Sequence, residues 1–264
     1  MLSIEEIQLI IEKLKKLKRE DFQKLIESNL KILEDLAEAV DANNKQLINR
    51  LDKTPGWFNK DLEQKREKTN VDDLLFRMIQ TKIFQFSRTN LYNCIEIGPG
   101  NGMFSKELRS WRKIFFVDIH NLEEKIRRRF HPGHQKHLLF FMTNGHSCDK
   151  IPKDSCNFVF SWDTFVFFTQ THVKNYLESI KQTLIPGGYC FIQYSNCHDE
   201  VDLHEAKRGY YNYNTKPAME QMIKDAGYEV VEMNQFRSGA NYAIFRKPGK
   251  QNPVLYKVSE ITLD

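Results

Sequence analysis

The stretch "NCIEIGPGNGMFSKEL", residues 93–108, places three glycines at alternate positions directly after a short apolar run. In parallel α/β sheets, a glycine-rich loop between a strand and a helix is where nucleotide-like ligands bind. Glycine allows positive φ angles and lets the backbone approach a ligand closely. The stretch therefore predicts a strand, a ligand-binding loop and a following helix, in a chain that binds a nucleotide-like molecule.

The glycines at positions 98, 100 and 102 do not match the motifs that bind phosphates. The dinucleotide motif G-x-G-x-x-G needs a glycine where Met103 stands, and no Gly-Lys-Ser/Thr follows as a P-loop requires. Glu96 precedes the first glycine by two residues, and its carboxylate would repel a pyrophosphate. It suits a cationic ligand without phosphates, which points to S-adenosylmethionine with its sulfonium and ammonium groups.

Apolar runs of strand length recur along the chain from residue 92 onward. Most are separated by stretches long enough for a helix, a pattern typical of a parallel sheet covered on both faces. The last two runs are joined by "RSGA" and predict an antiparallel hairpin. The fold class is therefore α/β, a doubly wound, Rossmann-like, mostly parallel seven-stranded sheet with a C-terminal antiparallel hairpin. The predicted strands cover residues 92–98, 113–120, 137–143, 157–163, 188–195, 228–236 and 241–248, and a helix is predicted over 71–86.

Residues 3–52 contain no glycine and no proline, and their apolar residues recur three and four positions apart. They predict an N-terminal helical arm, either a hairpin packed on the main domain or an element that forms a homodimer. The turn "TPGW" (54–57) gives the boundaries: an arm over 1–55, an S-adenosylmethionine-binding α/β domain over 56–247, and a polar tail over 248–264.

Composition narrows the class of protein. The net charge of +4 gives no sign of a nucleic-acid partner. No apolar run reaches the roughly 18–20 residues that span a bilayer, and the first residues carry glutamates and lack the cleavage site of a secretion signal. The five cysteines are odd in number and form no C-x-x-C pair, which indicates buried free thiols in a reducing compartment. The expected location is the cytoplasm.

The motifs, in their order and spacing, resemble class I S-adenosylmethionine-dependent methyltransferases over about residues 70–247. "EIGPGNG" (96–102) looks like their first motif, "FFVDIH" (115–120) like the second, and "LIPGGYCFIQYSN" (184–196) like the turn into strand five. "SWDTFVFF" (161–168) and the residues after it look most like bacterial small-molecule and sugar O-methyltransferases. The resemblance implies S-adenosylmethionine as cofactor, held by Glu96, Gly98, Pro99, Gly100, Asn101, Gly102, Asp118, Ile119, Asn144, Gly145, Ser161 and Trp162.

Within that resemblance, Asp118 is expected to bind the ribose hydroxyls and Asn144 the adenine, unless Asn144 forms only an Asx-turn with Gly145. Asp163 ends strand four near the transferred methyl. It could act as a base, hold a substrate hydroxyl, bind a divalent metal, or only cap the next helix. His198, after strand five, has a suitable unperturbed pKa for a base. Metal-dependent relatives carry an Asp-Asn pair after strand five where this chain has Ser-Asn, so no metal site is expected, although Asp199 could substitute.

The segment 204–217, "HEAKRGYYNYNTKP", corresponds to a substrate lid in the family, with an ordinary surface loop as the alternative. Tyr210, Tyr211 and Tyr213 offer flat faces with polar tips for a sugar or aromatic acceptor, and Asn196 is a further substrate candidate. Lys207 and Arg208 could meet the phosphate of a nucleotide-linked sugar.

These observations predict a methyltransferase that acts on a hydroxyl, less favourably a nitrogen, of a small polar acceptor. The alternatives are an enzyme that methylates a protein or another macromolecule, and a non-catalytic relative that binds S-adenosylmethionine. Against the first, "SWDT" stands where DNA and RNA amino-methyltransferases carry N/D-P-P-Y/F.

Overall fold

The computed structural model describes residues 71–87 and 92–249, together with the single helical residue 8. Apart from that residue, the predicted helical arm lies outside the described residues, and so do the turn at 54–57 and the tail from residue 250 onward. The arm's form and its role in a homodimer therefore stay predictions.

A seven-stranded mixed sheet forms the centre of the molecule, with the strand order β3-β2-β1-β4-β5-β7-β6. The first five strands pair in parallel, whereas β7 pairs antiparallel with both β5 and β6. The predicted fold class is confirmed, including the C-terminal hairpin. The strands are β1 (Asn93–Ile97), β2 (Lys113–Asp118), β3 (Leu138–Met142), β4 (Cys156–Ser161), β5 (Leu184–Gln193), β6 (Glu229–Gln235) and β7 (Asn241–Arg246).

Helices cover both faces of the sheet. The predicted helix over 71–86 is confirmed as α1, and it begins after Asp72, whose side chain accepts a hydrogen bond from the amide of Leu75 at 2.9 Å. The described helices are α1 (Asp73–Phe86), α2 (Glu123–Arg127), α3 (Pro132–Gln135), α4 (Gln170–Thr183), α5 (Glu200–Lys207) and α6 (Lys216–Asp225), with short 3-10 helices at Ser105–Leu108 and Phe165–Phe167.

Three connections differ from the sequence prediction. The glycine loop leads into the 3-10 helix Ser105–Leu108 and not into an α-helix, and Phe104 before it and Trp111 three residues after it are buried in the core. Residues 143–155, between β3 and β4, form no helix. The strand predicted from residue 188 begins at Leu184, and its register against β4 shifts where Gly187 adopts a φ of 78°. "LIPGG" is thus an irregular start of β5 and not only a turn before it.

Two apolar clusters cover the two sheet faces, and β1 contributes to both. Ile95 and Ile97 belong to the cluster under α4, whereas Cys94 belongs to the cluster under α1. Because side chains alternate along a strand, Glu96 lies on the face of Cys94, among apolar side chains. All five cysteines are buried free thiols, as predicted.

The strand order reverses between β1 and β4, which are hydrogen-bonded neighbours. The loops that follow these two strands therefore leave the same edge of the sheet side by side. In open α/β sheets, this reversal is where ligands bind.

Candidate active site

The glycine loop after β1 is a tight turn in which all three glycines adopt positive φ angles. Gly98, Gly100 and Gly102 have φ angles of 68°, 55° and 75°. The amide of Gly98 donates to the carbonyl oxygen of Val117 at 2.8 Å, and that of Gly102 to Pro99 at 2.7 Å. These bonds fasten the loop to the end of β2 and close the turn on itself.

The three glycines differ in what surrounds them. A Cβ atom at Gly98 would lie 2.0 Å from Oγ1 of Thr164, and one at Gly102 would lie 2.7 Å from Cδ1 of Ile126. A Cβ atom at Gly100 would meet no atom of residues 71–87 or 92–249 within 4 Å. Gly98 and Gly102 are therefore required for packing, whereas Gly100 is exposed and borders open space.

Glu96 is a buried carboxyl group directly before the loop. Only 3% of the residue is exposed, and its Oε2 accepts a hydrogen bond from the hydroxyl of Ser105 at 2.7 Å. Burial raises the pKa of Glu96 to about 8, against the opposing effect of the Ser105 bond, and the negative charge of Asp118 adds to the increase. A buried carboxyl group with such a pKa is typical of a functional site and would gain from a cationic partner.

Asp118 ends β2 and lines a cavity of 160 Å³ together with Pro99 and residues at the carboxyl end of β3. Its Oδ1 accepts a hydrogen bond from the amide of His120 at 2.9 Å, which fixes the turn after the strand. Ile119 lies between them and is partly exposed. The cavity volume is below the roughly 300 Å³ of a typical ligand pocket, so it would hold only part of a nucleoside.

The loop after β3 carries Asn144 and Gly145. Asn144 is exposed, and its Oδ1 accepts hydrogen bonds from the amide of His146 at 3.1 Å and from the hydroxyl of Thr143 at 3.4 Å. This is the Asx-turn that the sequence left open as an alternative. A second cavity of 260 Å³ lies beside Asn144 and shares Phe141 and Met142 with the first.

The end of β4 lies against the glycine loop. The hydroxyl of Ser161 donates to the carbonyl oxygen of Ile97 at 2.9 Å, and that of Thr164 to Gly98 at 3.3 Å. Trp162 is buried and packs on Phe104, and its predicted contact with the cofactor, like that of Ser161, stays a prediction.

Asp163 lies within this connection and is partly exposed. Its φ is 53°, in the left-handed region that side chains rarely adopt, and its amide donates to Oε1 of Gln193 at 2.7 Å. The short link to Thr164 places Asp163 beside the glycine loop. Such local strain is found most often at functional positions.

The segment after β5 is held by a buried carboxyl group that sequence reasoning missed. Oδ2 of Asp202 accepts hydrogen bonds from the amide of Asn196 at 2.6 Å and from Nδ2 of Asn241 at 3.0 Å. Its Oδ1 is buried with no hydrogen-bond partner in the described part of the chain, and burial raises the pKa of Asp202 to about 6. The side chain of Asn196 is itself engaged, because Oδ1 accepts from the amide of Lys216 at 3.0 Å.

His198 and Asp199 follow on the same edge. His198 is exposed. Oδ1 of Asp199 caps α5 by accepting from the amide of Val201 at 3.0 Å, and it also accepts from the hydroxyl of Ser238 at 2.7 Å. Asp199 is therefore engaged as a helix cap. Among residues 71–87 and 92–249, no group of three or more His, Cys, Asp or Glu side chains could hold a metal ion.

The predicted lid begins inside α5 and continues as a loop from Arg208 to α6. The Arg208 guanidinium lies 4.7 Å from the ring centre of Tyr210, and Tyr211 packs edge-on against Phe167 at 5.8 Å. Burial raises the pKa of Tyr211, and the next largest cause is the negative charge of Asp163. The lid tyrosine and the β4 carboxylate are therefore close enough to interact, as the sequence could not show. Tyr213 is partly buried farther along the loop.

The residues around the loop fit S-adenosylmethionine. The open space at Gly100 can admit a ligand, and Glu96 and Asp118 supply carboxyl groups for an ammonium group and for hydroxyl donors. Of the residues important to this arrangement, Ser105, Thr164, Gln193 and Asp202 were not predicted. Only Thr164 had a signal in the sequence, through its place in "SWDT".

Comparisons with known proteins agree with the geometry. Residues 32–233 match the model of a family described as a methyltransferase domain. No curated protein sequence matches the chain. No described helix is both long and apolar enough to cross a membrane.

Solved structures share the fold at low sequence identity. An S-adenosylmethionine-dependent methyltransferase from Mesorhizobium loti is 10% identical (TM-score 0.54), with 63% of this chain and 96% of that chain covered. The N-methyltransferase NodS of Bradyrhizobium japonicum, solved with S-adenosyl-L-homocysteine, is 14% identical (TM-score 0.54), with 72% and 98% covered. A methyltransferase in complex with the Trm112 activator of Haloferax volcanii is 16% identical (TM-score 0.53), with 66% and 91% covered.

Proposed function

We propose that this chain, which belongs to the methyltransferase domain family, transfers a methyl group to a hydroxyl of a small polar acceptor. Its cofactor is S-adenosylmethionine. The hydroxyl acceptor, which includes sugars and nucleotide-linked sugars, goes beyond what family membership gives.

One observation carries the proposal: the contact between Thr164 and Gly98 places Asp163 beside the cofactor loop. Asp163 follows β4 at the carboxyl edge of the sheet, where we propose that the methyl group is transferred. The negative charge of Asp163 contributes to the raised pKa of Tyr211, which supports a lid that lies near this carboxylate. An acceptor between the lid and the loop would thus meet a proton acceptor.

Some residues of the candidate site would bind the cofactor, and others would accept the proton of the acceptor. S-adenosylmethionine supplies an electrophilic methyl group on a sulfonium. Glu96 would bind the ammonium group of the cofactor as a carboxylate, and Asp118 would accept hydrogen bonds from the ribose hydroxyls. Asp163 would accept the proton of the acceptor hydroxyl as its oxygen attacks, and His198 is the second candidate for this step. A positioned base of this kind contributes about 10²–10⁴-fold to the rate.

The side chains of the predicted lid favour one chemical class of acceptor. Tyr210, Tyr211 and Tyr213 combine aromatic faces with hydroxyl groups, which suits a sugar ring, and Asn196 stays a candidate contact. Arg208 forms an ion pair with Glu205 at 3.2 Å and is half exposed, so it can turn toward a phosphate. These features support a sugar or a nucleotide-linked sugar.

Three alternatives remain within the proposal. The neighbour NodS is an N-methyltransferase, so transfer to a nitrogen is the nearest one. The others are a macromolecular acceptor and a non-catalytic protein that only binds the cofactor. We also propose a cytoplasmic location, from the five free cysteines, and a homodimer through the N-terminal arm.

The test is methyl transfer by the full chain from labelled S-adenosylmethionine to a panel of acceptors. The panel contains methyl glucosides, nucleotide-linked sugars and catechols as hydroxyl acceptors, amino sugars as nitrogen acceptors, and a cell protein extract. We expect label only on a hydroxyl acceptor, and we expect Asp163→Asn to lower its turnover by about 10²–10⁴-fold. Asp225→Asn, at an exposed carboxylate at the end of α6, is the control. Label only on amino sugars would instead indicate a nitrogen acceptor, and label only on protein would indicate a macromolecular acceptor. No labelled product, while S-adenosylhomocysteine binds, would indicate a non-catalytic protein.

A further inference from the structure

We propose that Gln193 is a positioning residue that holds the left-handed backbone of Asp163 and thereby fixes the direction of the Asp163 carboxylate. The inference rests on the proposed function, because it assigns a role to Gln193 through the base in that reaction. Gln193 is the last residue of β5, and thirty positions separate it from Asp163.

The backbone of Asp163 has an unusual conformation. Its φ of 53° makes Asp163 one of two non-glycine residues in the described chain with a positive φ, the other being Asp154. For a residue with a side chain, the left-handed region is less favourable than the right-handed one, although Asp tolerates it better than most. Such a conformation persists only where the surroundings hold it. The neighbouring hydrogen bonds should therefore include one that holds it.

Gln193 accepts a hydrogen bond from the backbone amide of Asp163. Its Oε1 accepts the amide hydrogen of Asp163 at 2.7 Å, a short distance for a bond of this type. Only 3% of Gln193 is exposed, so water competes little for either partner. The bond is directed at the amide whose orientation the unusual φ determines.

The other end of the Gln193 side chain, its NH₂ group, is also anchored. Nε2 of Gln193 lies 3.4 Å from the carbonyl oxygen of Gly239, in the turn between β6 and β7. The amide of Gly239 in turn donates to Oδ1 of Asp199, the cap of α5, at 3.1 Å. Gln193 thus connects Asp163 to two other segments at the same edge of the sheet, and its orientation is set by both.

The consequence concerns catalysis and not cofactor binding. A carboxylate that accepts a proton must point at the acceptor within narrow limits, and small displacements cost large factors in rate. Gln193 contacts Asp163 through the backbone amide and not through the carboxylate. Its loss should therefore lower turnover while S-adenosylhomocysteine affinity changes little.

The first experiment measures the contact itself, by amide hydrogen exchange at Asp163 in the full chain. Gln193→Met keeps the length of the side chain and removes the acceptor, and Gln193→Glu keeps an acceptor oxygen. We expect exchange at the Asp163 amide to be about five- to tenfold faster in the Met variant, and close to wild type in the Glu variant. Gln182→Met, at an exposed position of α4, is the matched control. Equal exchange in the Met variant and the wild type would overturn the inference.

The second experiment measures turnover with the acceptor found in the panel, in a double-mutant cycle. Gln193→Met should lower kcat by about tenfold or more in the wild type, with the cofactor KM unchanged, and should cause little further loss in Asp163→Asn. An equal loss in both backgrounds, or faster exchange with unchanged kcat, would overturn the positioning role. Normal turnover of Asp163→Asn would instead contradict the proposed function, and the exchange measurement would still decide whether the contact exists.

Discussion

The buried carboxyl group of Glu96 makes a prediction about pH that can be tested without knowing the acceptor. Its pKa rises from 4.5 to about 8 because the folded protein buries it. Between these values the native state holds a proton that the unfolded state has released. The contribution of Glu96 to the stability of the fold is therefore greatest below about pH 4.5 and falls as the pH rises toward 8.

The size of the effect follows from the linkage relation. One proton held by the native state changes the free energy of unfolding by about 1.4 kcal/mol per pH unit. Between about pH 5 and about pH 7, Glu96 is mostly protonated in the folded protein and mostly ionised in the unfolded chain. The contribution of Glu96 to the free energy of unfolding therefore falls by about 2–3 kcal/mol over this range. Glu96→Gln keeps the shape and the acceptor oxygen for Ser105 but has no proton to lose.

Urea unfolding of the wild type and of Glu96→Gln at these two pH values measures the difference. The free energy of unfolding should fall by about 2–3 kcal/mol less in Glu96→Gln than in the wild type between these two pH values. Glu178→Gln, at an exposed position of α4, should show the same fall as the wild type. Parallel pH profiles for the wild type and Glu96→Gln would refute the reasoning, because they would mean that Glu96 ionises in the folded protein as it does in the unfolded chain.

Four further predictions concern individual contacts. Asp118→Ala should weaken S-adenosylhomocysteine binding by about 2–3 kcal/mol in calorimetric titration, since it removes charged hydrogen-bond acceptors; affinity equal to wild type would exclude Asp118 from the site. The same titration should show affinity rising by up to about tenfold per pH unit below about pH 8 in the wild type but not in Glu96→Gln, because the cofactor's ammonium favours the ionised carboxylate. Gly98→Ala should destabilise the fold by about 2–4 kcal/mol in urea, because its Cβ would meet Oγ1 of Thr164 at 2.0 Å, and Thr164→Ala should recover part of this but not the cost of the positive φ. Asp202→Asn should remove a decline in stability of about 2 kcal/mol as the pH rises from about 4 to 6, since the folded pKa of Asp202 is raised to about 6, and an unchanged pH profile would argue against that ionisation.

The sequence predicted the parts of the fold that local pattern determines. Short apolar runs became strands, because buried parallel strands need apolar side chains on both faces. A helix was expected directly after the glycine loop. The chain instead buries Phe104 and Trp111, and Nε1 of Trp111 donates to Oδ1 of Asn157 at 2.9 Å. That contact joins residues 46 positions apart, which no local pattern contains.

The candidate site shows the same difference between features set by local sequence and contacts between distant segments. Glu96, Asp118 and the glycines could be located from one motif and its spacing, because the binding loop is continuous in sequence. The partners of Asp163 could not, because Gln193 and Tyr211 come from distant segments that the sheet brings together. The buried state of Asp202 was equally hidden, since a single Asp in a polar helix is usually exposed.

The central claim is that the glycine loop binds S-adenosylmethionine, and calorimetric titration with S-adenosylhomocysteine tests it most directly. Gly100→Asn would place a side chain in the open space of the loop, and asparagine tolerates the φ of 55° there better than most residues. Gly227→Asn is the control, since Gly227 has a φ of 74° and precedes β6 at the opposite edge of the sheet, where a Cβ atom would displace only the end of the flexible Lys181 side chain. We expect binding to the wild type and to the control, and affinity lower by about 100-fold or more in Gly100→Asn, or about 3 kcal/mol. Equal affinity in all three folded proteins would contradict the account.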